Sequence, residues 1–298
     1  MNRAKANLCL LLAGALWGIG FVAQSTAMDA IGPMLFIALR FFLATLVVLP
    51  FALLESRKAS TRLSMRDISG FLWIGLAMFA GMTAQQIGLL TTTVTNAGIL
   101  TGLYVVFVPF LVVVFLRRLP HPVVWPAALL AFVGIWLLSG GHALSLNSGD
   151  ALTILCAVFW AGQVLMIGVF GQRTGRPLTL SAVQFALCAV LALVAALLSE
   201  PILWTAIRDA LPEILYSGIF ASGVAFSLQA IGQRYTTPAQ AAIFLSTEAL
   251  FAALFGALFL GERVATLGYL GCALIFVAIL LVEVTPALLQ RQAKGVKA

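Results

Sequence analysis

The chain has 298 residues, of which 62% are apolar and 9% charged, and its formal net charge is +7. Soluble domains carry about 25% charged and about 45–50% apolar residues, and no water-soluble core of this length encloses so much hydrophobic surface. A soluble enzyme, a nucleic-acid binder and a disordered chain are therefore excluded. What remains is a helical integral membrane protein, whose cytoplasmic loops account for the basic charge without nucleic acid.

A helix crosses the hydrocarbon core in about 20 apolar residues, and ten such stretches follow one another. The first, 7–28, starts after Arg3 and Lys5 and carries Trp17, Phe21 and Gln24 near one face. Its Gly14 and Gly18 are spaced for close helix approach. It resembles a signal peptide in outline, but its length, the lack of a small-residue cleavage pattern and the span that follows at once mark it as retained. The second, 32–54, holds Arg40. Carboxylate binding competes there with snorkelling toward the outer surface or pairing with a carbonyl, and the sequence favours the last two. The third, 68–90, offers Thr83, Gln85 and Gln86; the fourth, 94–116, offers Asn96, Thr101 and Tyr104. Pro109 interrupts the fourth and is a candidate hinge, with a static bend as the equal alternative.

The fifth span, 122–140, has almost no polar residue at mid-depth. The sixth, 148–170, presents Trp160 and Gln163 one turn apart, and the seventh covers 178–199. The eighth, 211–232, carries Ser222, Phe226 and Gln229 at helical spacing, with Gln233 just beyond it. The ninth, 238–260, begins at Pro238 and places Gln240, Phe244, Thr247, Glu248 and Phe251 on one stripe. The tenth, 264–284, is as plain as the fifth. Cys9, Cys156, Cys188 and Cys272 all lie in apolar stretches and have no metal-ligand spacing, so they read as packing residues and no metal is expected. The longest polar connections are 55–67 and 200–210, too short for a separate soluble domain.

With the N-terminus in the cytoplasm and the spans alternating, fourteen of the seventeen Lys and Arg residues fall on the cytoplasmic side. Only Arg208 and Arg263 fall outside, and Arg40 lies within a span. This bias supports both the count and the orientation, with both chain ends cytoplasmic. The expected location is a bacterial inner membrane, and a monomer is expected there.

The two halves repeat at an offset of about 144 residues. Gln85-Gln86-Ile87-Gly88 aligns with Gln229-Ala230-Ile231-Gly232, and Thr92-Thr93-Val94-Thr95-Asn96-Ala97 aligns with Thr236-Thr237-Pro238-Ala239-Gln240-Ala241. Arg40-Phe41 aligns with Gln184-Phe185, and Trp17 meets Trp160 with one residue of slippage. Five spans is an odd number, so the second copy must enter the membrane from the opposite face. The expected fold is thus all-α, ten transmembrane helices in two inverted five-helix repeats, 1–145 and 146–298, around a central cavity. Inverted repeats are a recurrent construction of secondary transporters, with the substrate site near the midplane.

The ten spans in two halves, the Ala15-Leu16-Trp17-Gly18 run and the Leu260-Gly261-Glu262 run together resemble the EamA type of the drug/metabolite transporter superfamily, over essentially the whole chain. Two departures stand out: Glu248 is followed by Ala249 where family members often have Glu-Pro, and the first half has Leu116-Arg117-Arg118 in place of a Leu-Gly-Glu run. The resemblance implies that spans one to four and six to nine enclose the cavity, and it implies export of amino acids or other metabolites.

Polar groups at membrane depth need a partner or a wet cavity. The cavity candidates are Trp17, Phe21, Gln24, Thr83, Gln86, Asn96, Thr101, Tyr104, Trp160, Gln163, Phe226, Gln229, Phe244, Thr247 and Glu248. Each Gln or Thr among them is as readily helix glue as substrate contact. Glu248 is a charge at the centre of a span, and its repeat counterpart is Tyr104. Contact with a substrate amine, proton coupling and a structural hydrogen bond are its roles in order of preference. The leading function is a secondary transporter that exports small amphipathic metabolites, amino acids above all, by alternating access. The alternative is an exporter of cationic drugs or other metabolites coupled to protons through Glu248. A membrane-embedded enzyme finds no catalytic set: His121 and His142 lie at span ends on opposite sides, and no His-Glu-x-x-His or Gly-x-Ser-x-Gly motif occurs. No cofactor is expected, and a sensor lacks an output domain.

Overall fold

A computed structural model describes residues 1–138, 147–263 and 266–295; His142 and the expected boundary at 145/146 lie outside the described residues. Among the described residues all regular structure is helical. The helices are α1 (Arg3–Ala27), α2 (Pro33–Lys58), α3 (Met65–Gly88), α4 (Val94–Thr101), α5 (Tyr104–Leu116), α6 (Val124–Leu138), α7 (Ser148–Thr174) and α8 (Pro177–Ser199). They continue with α9 (Trp204–Asp209), α10 (Leu211–Tyr216), a π-helical segment (Ser217–Val224), α11 (Ala225–Gln233), α12 (Pro238–Leu245), α13 (Glu248–Leu260) and α14 (Thr266–Gly295). Eight segments are long and apolar enough to cross a membrane, with α4–α5, α10–α11 and α12–α13 each forming one; 124–137 and 266–282 are shorter apolar helices. The chain is a multi-pass membrane protein.

Helix starts follow local chemistry. Ser64 and Asp67 form a reciprocal capping box at α3, and Asn147 and Asp150 form another at α7. Three further N-termini are capped by a carboxylate from another helix. Glu200, just past α8, accepts from the Met34 and Leu35 amides of α2, both at 2.8 Å. Glu55, near the end of α2, accepts from Leu178 (3.2 Å) and Thr179 (2.8 Å) of α8. Glu262, just past α13, accepts from Val94 (3.0 Å) and Thr95 (2.9 Å) of α4. Each anion satisfies orphan donors at the positive end of a helix dipole. Glu55 and Glu200 act at opposite ends of one pair, so α2 and α8 run antiparallel.

Packing respects the sequence repeat. α2 lies along α8 and α6 along α14; α1 packs on α13 and α11, as α7 packs on α5 and α3. Close approach of α1 to α13 depends on glycine: a Cβ at Gly18 would stand 2.2 Å from Phe251 Cβ, and one at Gly14 would stand 2.6 Å from Thr247 Oγ1. The small-residue pair of the first span therefore sits at this contact.

Candidate functional site

Two spans are interrupted at matching positions. α4 gives way to α5 at Gly102-Leu103, and α12 gives way to α13 at Ser246-Thr247. At both steps the ladder tightens to three-residue hydrogen bonds, Leu103 N–H to Leu100 C=O at 3.3 Å and Thr247 N–H to Phe244 C=O at 3.3 Å. In the second half, the Ser246 and Thr247 hydroxyls donate back to the Ile243 and Phe244 carbonyls, each at 2.8 Å, and compete with helix continuation. The first half uses Gly102 instead. Pro109, a candidate hinge with a static bend as the equal alternative, lies inside continuous α5 rather than at the interruption. The second half breaks in the same place with Ala253 at the matching position, so the proline is not the cause.

Tyr104 and Glu248 are the first residues of the two resumed helices, and both line one narrow central cavity of about 30 Å³. The two groups approach one another, while Glu248 Oε1 and the Tyr104 hydroxyl make no conventional hydrogen bond. Glu248 is 4% exposed, so a carboxyl group is held out of water with one oxygen free. Around it, Gln85 Nε2 donates to Thr101 Oγ1 at 3.0 Å, and Gln229 Nε2 donates to Gln163 Oε1 at 3.1 Å. Gln163 in turn donates to Gln184 Oε1 at 3.2 Å.

The floor is aromatic. Phe226 stands between the repeat-related tryptophans, 4.7 Å from the Trp17 ring centroid and 5.5 Å from that of Trp160. Trp17 Nε1 donates to Ala221 C=O at 2.9 Å, which fixes its indole to the π-helical segment.

Arg40 also lines the cavity. It is 1% exposed and does not snorkel; of the two expected alternatives the structure shows pairing with a carbonyl, that of the Gln24 side-chain amide. Its Nη1 donates to Gln24 Oε1 at 2.7 Å and its Nε to Ser222 Oγ at 3.0 Å. No carboxylate pairs with it among the described residues. Sequence reasoning undervalued it because both partners lie on other spans; the signal available was Gln184, a polar residue at the matching place of the second half.

Of the residues expected at the cavity, Trp17, Phe21, Gln24, Thr101, Tyr104, Trp160, Gln163, Phe226, Gln229 and Glu248 line it. Gln86 sits behind Gln24, donating to its carbonyl at 3.0 Å. Thr83 faces Met34 Sδ at 4.0 Å. Phe244 is buried without lining the cavity, and Thr247 turns back on its own helix. Asn96 lies at the N-terminus of α4, where its amide is capped by Thr93 at 3.1 Å; the Thr-x-x-Asn spacing carries that signal. Met82, Val164 and Leu245 complete the wall and have no polar signature by which a sequence could mark them.

Residues 4–140 and 147–284 each match the EamA-like transporter family. The chain belongs to the EamA-like transporter family. It is similar to an uncharacterized transporter of Archaeoglobus fulgidus, 34% identical over 287 residues that make up 95% of this chain and 87% of that protein. It is also similar to the uncharacterized transporter YwfM of Bacillus subtilis, 29% identical over 289 residues and 94% of each chain. A solved crystal structure superposes with a TM-score of 0.77 at 20% identity, over 95% of this chain and 98% of that one, and shares the fold.

In this EamA-like transporter the two ends of the bundle differ. At one end Glu262 ties α13 to α4 through the Val94 and Thr95 amides and the Thr95 hydroxyl. The matching residue in the first half is Arg118, and there a groove of about 750 Å³ is lined by Arg118, His121, Gln172, Arg173, Pro238 and Gln240 among others. Val164 lines the central cavity and Gly168, one turn further along α7, lines this groove.

Proposed function

We propose that this protein is a secondary transporter that exports small amphipathic metabolites, amino acids foremost, from the cytoplasm across a bacterial inner membrane. Two inverted five-helix repeats alternate access to the central cavity, with both chain ends cytoplasmic and the monomer as the working unit. The observation that carries this reading is the meeting of two repeat-related broken helices, at Tyr104 and Glu248, over an aromatic, partly polar cavity. Discontinuous helices at a midplane site are the usual way for a transporter to present polar groups to a solute inside the bilayer. The groove lined by Arg118 and Arg173 is then the cytoplasmic approach, and the Glu262 tie closes the outer side. Counterflow of radiolabelled amino acids in proteoliposomes tests the reading. Exchange of a subset with aromatic or aliphatic side chains is expected, and a purified, folded protein that exchanges none of the twenty overturns it.

A second reading, proton-coupled export of cationic metabolites, is favoured by one observation, the buried Glu248 carboxyl group with a free oxygen. Substitution by glutamine then abolishes the response to a pH gradient and leaves solute exchange intact.

A further inference from the structure

We infer that Arg40 is the receptor for a carboxylate of the transported solute and sets the selectivity of the cavity for carboxylate-bearing over purely cationic molecules. The inference rests on the transport reading above and names the chemistry that its site selects.

Among the described residues Arg40 is a buried guanidinium with no carboxylate in ion-pair contact. Its Nε and Nη1 are used by Ser222 and Gln24, while Nη2 makes no hydrogen bond among the described residues. The rings of Phe41 and Phe36 lie 5.1 and 5.8 Å from its Cζ and compensate part of the charge. Neither ring is an anion, and an enclosed cation without one is costly unless something in the working cycle neutralises it.

The fold does not need this charge. Gln184 occupies the matching position on α8 and links to α7 by accepting a neutral hydrogen bond from Gln163 Nε2 at 3.2 Å. A crosslink between spans is therefore built in the second half without a guanidinium. What arginine adds is a permanent charge and a planar fork that meets a carboxylate with two parallel bonds. Because Nε and Nη1 are held by protein groups, the fork is oriented before any solute arrives, and Nη2 is left over on a side chain that lines the cavity.

The surroundings suit an acid with an apolar body. Phe41 stands 6.2 Å from Phe226, and Phe226 leads on to Trp17 and Trp160, so an aromatic surface begins beside the guanidinium. A cation without a carboxylate would enter against the Arg40 charge, with Glu248 elsewhere on the wall as the one acidic group lining the cavity.

The test compares L-phenylalanine, L-phenylalaninamide, 3-phenylpropionate and phenethylamine as competitors in proteoliposomes and as quenchers of intrinsic tryptophan fluorescence, since Trp17 and Trp160 flank the site. In the wild-type protein the two carboxylates are expected to bind about tenfold or more tightly than their uncharged or cationic counterparts, the size of one charge-assisted hydrogen bond. Arg40→Gln brings the four to within about twofold of each other, while Arg40→Lys keeps an intermediate preference. Equal weakening of all four in Arg40→Gln, or an unchanged carboxylate preference, overturns the inference. If Arg40→Gln fails to fold, the wild-type preference and its reduction in Arg40→Lys decide. Failure of the transport reading looks different: no amino acid is exchanged, yet 3-phenylpropionate still quenches the wild-type protein and not Arg40→Gln.

Discussion

Tyr104 and Glu248 face each other from the same position of two successive repeats, each opening the helix that resumes after a break. One half supplies a phenol where the other supplies a carboxyl group, so the chemistry of the cavity is asymmetric although its backbone is repeated. The break itself is common to both halves, and the charge is not.

Glu248→Gln separates the roles open to that carboxyl group. On the proton-coupled reading, transport measured with and without an imposed pH gradient is expected to lose its gradient dependence in the variant while counterflow continues at a rate within about threefold of wild type. A selective loss of affinity for amines, with the gradient response intact, would instead assign Glu248 to the solute.

Glu262→Gln loosens the tie between α13 and α4. The Val94 and Thr95 amides bond a carboxylate at 3.0 and 2.9 Å. Exchanging a charged acceptor for an amide weakens bonds of about 1.5–3 kcal/mol. Hydrogen exchange of the peptide that contains these amides is expected to quicken about tenfold, with peptides of α8 unaffected. Arg118→Glu gives the opposite end the carboxylate it lacks, and the Ala239 amide is the donor expected to gain protection.

Gly18 and Gly162 make opposite forecasts for the same substitution. A methyl group at Gly18 would overlap Phe251 Cβ at 2.2 Å and its carbonyl carbon at 2.7 Å, whereas a methyl at Gly162 meets nothing within 4 Å. Gly18→Ala is expected to cost about 1–3 kcal/mol through forced separation of α1 and α13. Gly162→Ala gains up to about 1 kcal/mol of helix propensity. Thermal unfolding in detergent, followed by tryptophan fluorescence, should move down for the first and not for the second.

Arg117 ends α5 with φ of 50°, while Gly261, its counterpart, ends α13 with φ of 68°. Left-handed backbone costs a side chain about 1–2 kcal/mol that glycine avoids. Arg117→Gly is therefore expected to raise the unfolding midpoint by a few degrees, and an unchanged or lowered midpoint would show that the side chain contributes more than its strain.

Much of this was legible in the residues, because periodicity and repetition are properties of sequence. The run from Gln85 to Ala97, set beside that from Gln229 to Ala241, gave the register in which Tyr104 and Glu248 correspond, and that register predicts which polar residues share the cavity. Other features arise only from contacts between distant segments. Arg40 is committed by Gln24 and Ser222, 16 and 182 residues away. The π-helical winding of 217–224 leaves no mark in composition, although it presents Ser222 to Arg40 and the Ala221 carbonyl to Trp17. Pro109 lies inside α5, while the interruption falls at Gly102-Leu103, where no proline stands.

The paired carboxylates Glu55 and Glu200 limit how the protein can deform. Each grips the opposite end of its antiparallel neighbour, so sliding α2 past α8 by a single residue, about 1.5 Å, would pull both sets of amide bonds out of range at once. The two helices are accordingly a strut bolted at either end, and lengthwise slip between them is the motion this pair resists.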